Sequence, residues 1–379
     1  MSVRVPAMLL SLSLLIFLAA TSPAAGVFPD FNGDGAITLD DLTYFVHQFQ
    51  LCRQGKSWDA ACDLTWDGAL NRADSLLMVE AYLANPPTPG RYLVFDSARS
   101  GGAGNNDVYL YDCKTASLVS LPGLNTADKE ECPAITADAR YIAFDSGRSD
   151  SVGTYDIYLY DRSAGALVAV PGLNASGAQY TPGISAYSRY LAFHSSRAGT
   201  VGGYDIYLYD RAAAALVSLP GLNSTADDLT PSVSADGRFI AFMSYRGGAT
   251  VHVYLYDRNT NSLVSLPGLN SSPYNDGDPQ ISTDGRFIVF DSSRGPDSND
   301  VFLYDRKSSS LLTLTGLNFS GASNGAPSIS SDDRYIAFMS NHRTGHEDAY
   351  VYDRTTSSVI VSPSSDSAPT ANAESPHLN

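Results

Sequence analysis

Scarcity sets the first bounds on this chain. Its 379 residues include only 4 cysteines, 2 tryptophans, 5 methionines and 6 histidines, and 24 basic residues face 40 acidic ones. Four cysteines are too few for a disulfide-dense scaffold of this length, and none stand in the Cys-x-x-Cys spacing of a zinc site. A net charge of -16, with the arginines recurring at repeated positions rather than along one stripe, argues against nucleic acid as a partner. There is no Gly-x-Ser-x-Gly elbow, no His-Glu-x-x-His and no phosphate loop. No stretch after residue 26 is apolar enough to span a membrane.

With 44% hydrophobic and 17% charged residues, the composition is that of a globular protein with a core to bury. Arg4, the apolar run 8–20 and the small residues Ala24, Ala25 and Gly26 predict a secretory signal over residues 1–26. The expected location is therefore secreted, or periplasmic or at the cell surface, with no membrane span after cleavage. In that compartment the cysteines are able to form disulfides. Cys52 and Cys62 are expected in one short loop, close enough to pair, whereas Cys113 and Cys132 fall at opposite ends of one structural unit.

Most of the chain is one pattern written six times. Each copy has an Arg-aromatic-apolar-apolar-Phe strand, a Ser and an Arg, then an Asp-apolar-Tyr-Leu-Tyr-Asp strand, with starts at Arg91, Arg140, Arg189, Arg238, Arg286 and Arg334. The spacing is 49 residues three times and then 48 twice. A repeat of that length is one supersecondary unit reused. In the fourth copy a short strand at 231–234, a turn at Asp236-Gly237, a strand at 238–244, a third at 251–256 and an outer one at 262–266 give four antiparallel strands. Four strands per repeat, arranged radially, make a six-bladed β-propeller. The run Pro-x-Ile-Ser-x-Asp-Gly-Arg-aromatic-Ile-Ala-Phe resembles the TolB-type propeller repeat, a relative of the WD-repeat class, over residues 91–379. The resemblance implies a fold and leaves activity open.

No inner strand precedes Arg91, so the first blade lacks one. The tail at 368–373 aligns with 326–331 and is expected to supply it; the alternative is a frayed Ser/Ala/Pro tail. Arg99, Arg148, Arg197, Arg246, Arg294 and Arg343 are expected to pair across the hairpin with Asp107, Asp156, Asp205, Asp300 and Asp348, and His252 replaces the aspartate in the fourth copy. The Leu-Pro-Gly-Leu-Asn loops carry sequons at Asn174, Asn223, Asn270 and Asn318; Asn125 occupies the same turn without one, so a backbone role is simpler.

Before a Pro-rich linker at 85–90, residues 27–84 hold two loops in the calcium-binding arrangement, DFNGDGAITLDD at 30–41 and DLTWDGALNRAD at 63–74. Calcium needs six or more oxygens, which a tight loop provides by aiming alternate side chains inward and turning on a glycine at the sixth place. The first loop offers Asp30, Asn32 and Asp34, the Ala36 carbonyl, Thr38 directly or through water, and Asp41 as the closing carboxylate. The second offers Asp63, Thr65, Asp67, the Ala69 carbonyl, Asn71 and Asp74. Apolar residues at Leu42, Phe45, Val46 and Phe49, and at Leu76, Val79 and Leu83, predict a helix after each loop. This duplicated unit, closed by aspartate and lacking an entering helix, resembles the dockerin family. The resemblance implies two Ca2+ sites and a cohesin-like protein partner, although Leu39, Asp40, Arg72 and Ala73 stand where that family usually has small hydroxyl residues.

Three functional readings follow. The first is an exported, noncatalytic protein in which a calcium-stabilised docking module tethers a propeller that binds protein or glycan. The second is a polysaccharide hydrolase or lyase, which requires two non-repeated carboxyl groups across a cleft. The third is an envelope structural protein without a small ligand.

Overall fold

The computed structural model describes residues 39–53, 55, 62, 70, 90–99, 102–186, 188–269, 273–297, 299–342, 347–361 and 373–379. Six antiparallel sheets of four strands each are present. They are numbered here as blades 1 to 6, by second strands Tyr92–Ser97, Tyr141–Ser146, Tyr190–Ser195, Phe239–Ser244, Phe287–Ser292 and Tyr335–Ser340. These are the most enclosed strands; every residue of Tyr141–Ser146 is buried. Their first four residues are aromatic or aliphatic because neighbouring blades cover both of their faces.

The core lies between blades rather than within them. One cluster joins Ala143, Ile157 and Leu159 of blade 2 to Leu191, Phe193 and Tyr209 of blade 3, and equivalent clusters recur around the ring. At the seam, Leu93, Phe95 and Leu378 of blade 1 pack on Ala337, Ala349 and Val351 of blade 6.

The tail closes the ring, in a different register from the expected one. The strand is Ala373–Leu378, not 368–373, and it pairs antiparallel with Tyr92–Ser97. The right anchor is the proline at the fourth place of every inner strand, namely Pro133, Pro182, Pro231, Pro279, Pro327 and Pro376. Proline brings no N–H to the ladder, so the strand bulges around it. The preceding residue is left-handed in all six blades, from φ 42 at Asp278 to φ 50 at Cys132 and Thr181.

Up to three arginines per repeat have separate structural tasks, and the expected pairing is corrected in blades 2 to 5, while Arg343 lies outside the described residues. The hairpin is clamped by the first arginine and the last aspartate of the pattern: Arg91–Asp112 at 2.7 Å, Arg140–Asp161 at 2.8 Å and Arg238–Asp257 at 2.8 Å, with equivalents in the other blades. The second arginine reaches the start of its own inner strand instead of crossing to the third: Arg148–Glu130 at 3.0 Å, Arg246–Asp228 at 2.6 Å and Arg294–Asp276 at 2.6 Å. Arg197 meets Gln179's blade without a carboxylate there and donates to the Leu173 carbonyl at 2.8 Å. The aspartate once assigned to it has a different role, as Asp156 and Asp205 accept backbone N–H groups from their own loops. A third arginine lies over the first aromatic of the preceding blade, as Arg211 over Tyr141 at 4.5 Å and Arg306 over Phe239 at 4.0 Å. Blade 1 has Cys113 in that place, beside Tyr335 at the seam.

The Leu-Pro-Gly-Leu-Asn loop does backbone work. Its leucines Leu124, Leu173 and Leu222 are buried, and Asn125, Asn174 and Asn223 each both accept from and donate to one residue of the third strand. Third-strand tyrosines then tie this loop to the next blade, as Tyr160 donates to the Pro122 carbonyl at 2.9 Å.

Of the N-terminal module, the helix Leu39–Arg53 is described, with Phe45 buried on the expected face. Cys52 lies inside this helix, not in a loop; its thiol is free and reaches the Leu70 carbonyl at 3.7 Å. Cys113 and Cys132 are also free thiols. The second expected helix lies outside the described residues.

Candidate functional site

Strand order places the loops between second and third strands, and those leading from each outer strand to the next inner one, on one face of the ring. The central channel opens there. Its mouth is built by the first half of the inner strands and the last residues of the second strands, and it is where the six copies cease to agree.

The bulge creates the mouth. By turning the third inner-strand residue out of its ladder, it aims that residue's N–H at the fifth residue of the preceding blade's second strand. Thr181 N–H donates to Asp145 Oδ2 at 2.7 Å, Ala326 N–H to Asp291 Oδ2 at 3.2 Å, and Thr230 N–H to His194 Nδ1 at 3.4 Å. The Cys132 amide faces Asp96 in the same way. Met243 and Met339 occupy the remaining two places and offer no such acceptor. The third-place side chains touch around the axis, with Ser375 Oγ 3.9 Å from Cys132 Sγ.

On the side of blades 1 to 3 the mouth is acidic and aromatic. Asn106 Nδ2 bridges Asp96 Oδ2 at 3.0 Å and Glu131 Oε1 at 3.3 Å. Glu374 stands opposite Asp96 in the ladder. Tyr155 is hydrogen-bonded to Glu131, and its ring lies 5.0 Å from Tyr180, which in turn is 6.2 Å from Tyr204 and 5.7 Å from His194. Asp278 and Asp291 lie on the side of blade 5, with Asp291 accepting from Asn299 and from the Ala326 amide.

Burial governs the protonation of these groups. It raises Asp96 to about 8, helped by the charges of Glu374 and Glu131, and it raises Asp145 well above the ordinary carboxylate range. Burial and then the Asp278 charge bring Asp291 to about 7. Burial also lowers His194 to about 4, so the imidazole that accepts from Thr230 is neutral at pH 7. At the opposite end of the channel lies a half-open pocket of about 40 Å³, lined by Ile135, Ile184, Val233, Ile281, Ile329 and Leu378 and by the residues that follow them. That space holds a few water molecules.

The acidic and aromatic mouth residues did not stand out in the sequence, because each occupies a place in the repeat that reads as ordinary strand or loop. The signal was available as disagreement between copies: the fifth second-strand residue runs Asp96, Asp145, His194, Met243, Asp291, Met339 while its neighbours hardly change. His252, which did stand out, is buried, with Nδ1 3.7 Å from Asp276 Oδ2.

The residues assigned to calcium lie outside the description. Asp30, Asn32, Asp34, Ala36, Thr38, Asp63, Thr65, Asp67, Ala69, Asn71 and Asp74 are not among the described residues, and Asp41 is placed only by its backbone, within the helix Leu39–Arg53. Among the described residues, no group of three or more His, Cys, Asp or Glu is arranged to hold a metal ion, and no helix is long and apolar enough to cross a membrane.

No family model and no curated protein matches the chain. Among solved structures, TolB from Acinetobacter baumannii is similar, at 19% identity and a TM-score of 0.59, over 82% of this chain and 72% of that one. The putative TolB from Agrobacterium tumefaciens is similar at 15% identity and a TM-score of 0.50, over 73% of this chain and 89% of that one. Identities this low speak for the fold alone, and the chain carries a TolB-like six-bladed β-propeller.

Proposed function

We propose that this is an exported, noncatalytic binding protein whose propeller recognises a protein or glycan at the channel mouth. The observation that carries the reading is the loss of repeat identity at that one place. Arginines, aspartates and aromatics that recur in every blade are consumed by clamps and stacks, whereas the places of Asp96, Glu131, Tyr155, Tyr180 and His194 hold different residues from one blade to another. An open face lined by non-repeated aromatic and polar groups is what a recognition surface requires.

The N-terminal module is assigned a docking role with two Ca2+ ions, on the sequence of the two loops and their dockerin resemblance, with a cohesin-like protein as partner. Asp30, Asp34, Asp41, Asp63, Asp67 and Asp74 are the carboxylates of that assignment. The predicted secretory signal supports export.

Asp278 and Asp291 favour a second reading. Two carboxyl groups on one side of the mouth, one of them raised by burial and then by the charge of the other, resemble the acid component of a polysaccharide-cleaving site. Screening the full chain on a glycan array and against extracellular protein extracts, alongside a turnover assay on acidic and neutral polysaccharides, separates the two. Retention of a ligand without turnover is expected. Cleavage abolished by Asp291→Asn would replace the binding reading with the enzymatic one.

A further inference from the structure

Charge and ring faces converge on one half of the mouth, and one carboxyl group there is incompletely satisfied. Asp96 is only 2% exposed. Its Oδ2 accepts the Asn106 amide and the Cys132 N–H faces the carboxyl group, but its Oδ1 has no hydrogen-bond partner, and the charges it meets are those of Glu374 and Glu131. Burying an unsatisfied carboxylate oxygen among other carboxylates is costly, so the arrangement calls for a positive group from outside. Lys129 reaches Glu131 Oε1 at 3.2 Å only from the rim, with its own side chain 48% exposed.

The ring faces indicate what kind of cation fits. Tyr155 and Tyr180, with centroids 5.0 Å apart and planes tilted by 41°, stand next to Glu131, and Tyr204 extends the wall. Aromatic faces attract ammonium and guanidinium groups, whose attached carbons also bury well against them. A hard metal ion needs several converging oxygens, and no such set of three is arranged among the described residues.

Resting on the reading of the channel mouth as a binding face, we infer that the side of blades 1 to 3 is a subsite for an organic cation. An alkylammonium or guanidinium group is held there between Asp96, Glu131 and Glu374 on one side and the faces of Tyr155 and Tyr180 on the other. Two sources present this chemistry: a basic protein segment and a free polyamine. Binding also has a proton signature. Without the cation, burial keeps Asp96 protonated up to about 8, in surroundings that include Glu374, Glu131, Asp145, Tyr155 and the Cys132 thiol. An incoming positive charge favours the ionised form, so a proton leaves as the cation enters.

The test is calorimetric titration of the full chain at pH 7 and low salt, with calcium at saturation so that the N-terminal loops are silent. Spermidine and a hexalysine peptide are the probes, each run in two buffers of different ionisation enthalpy. Saturable binding with proton release is expected, weakened about fivefold or more in Tyr180→Ala and largely kept in Tyr180→Phe. Glu374→Gln, at a part-exposed position, should weaken it about tenfold and steepen no salt dependence, and Asp96→Asn should abolish the proton release. Preference for hexalysine beyond its added charge identifies a protein segment as the source; parity identifies a free amine. The inference is overturned if neither probe saturates, or if both bind Tyr180→Ala and Glu374→Gln as well as the parent chain, which would mean diffuse attraction to an acidic surface. A glycan or protein retained without any cation effect would leave the binding reading standing, while turnover of a polysaccharide would remove that reading without touching the cation result.

Discussion

Asp305 and Asp353, set against Asp96 and Asp291, show how differently one residue type behaves at two places in a blade. The guanidinium groups of Arg286 and Arg334, each 2.8 Å or less away, hold these carboxyls down at about 2. A depressed folded pKa contributes stability that is present above the unfolded value near 4 and is lost as the pH falls through about 2. Asp96 and Asp291 have the opposite sign. Raised to about 8 and about 7, they retain protons that the unfolded chain releases, so their contribution is complete below about 4 and is lost as the pH rises through the folded values. Thermal melts should therefore show a Tm that declines between pH 5 and pH 8, and Asp96→Asn should flatten part of that decline. An unchanged profile in Asp96→Asn would show that this carboxyl is already ionised at pH 5. Arg306→Ala tests the third arginine. It removes a stack on Phe239 and a hydrogen bond to the Gly285 carbonyl, and should cost about 1–3 kcal/mol by chemical denaturation.

At the scale of elements, the inner strand of blade 1 comes from the other end of the chain. Leu378 is 2% exposed and joins the cluster between blades 6 and 1, and its N–H donates to Ser328 Oγ at 3.1 Å. Leu378→Ala should destabilise the propeller by about 2–4 kcal/mol, and removal of residues 373–379 should lower the Tm far more, since it opens the ring and exposes the seam. A truncated chain with the parent Tm would refute closure. The turn before the second strand of blade 4 is constrained as well. Gly237 has φ +68, and an added Cβ would come within 2.3 Å of the Tyr190 ring of the preceding blade. Gly237→Ala should cost about 1–3 kcal/mol and shift the melting transition without altering the sheet signal in circular dichroism. The strands are legible in the residue order, because alternation and spacing are local properties. The closing strand is not: aligning Pro369 with Pro327 puts it at 368–373, whereas Pro376 is the equivalent residue. Both fit an Ala/Ser/Pro tail, and only the ladder with Tyr92–Ser97 chooses between them.

On the scale of the whole molecule, the calcium loops and the propeller are expected to respond separately. Calcium titration of the full chain should release heat for two sites, reduced to one by Asp30→Ala and again by Asp63→Ala. Chelation should move one thermal transition and leave the propeller's in place; heat unchanged in the double variant would dismiss the metal assignment. The repeat, its period and its four-strand blades were legible in the residue order, as was the number six, because each copy carries its own hydrophobic faces and turn residues. Pairing was not legible. The expected partner of Arg148 was an aspartate close in sequence across the hairpin, yet its carboxylate is Glu130, which the inner strand delivers from outside that hairpin. The mouth was invisible for a related reason. Asp96 and Asp145 read as ordinary strand residues until the bulge at each inner-strand proline turns an amide toward them and closure of the ring sets them around one axis. Local patterning thus determined the blades, while which charges are buried together, and which oxygen is left without a partner, was decided only when six blades met around a channel.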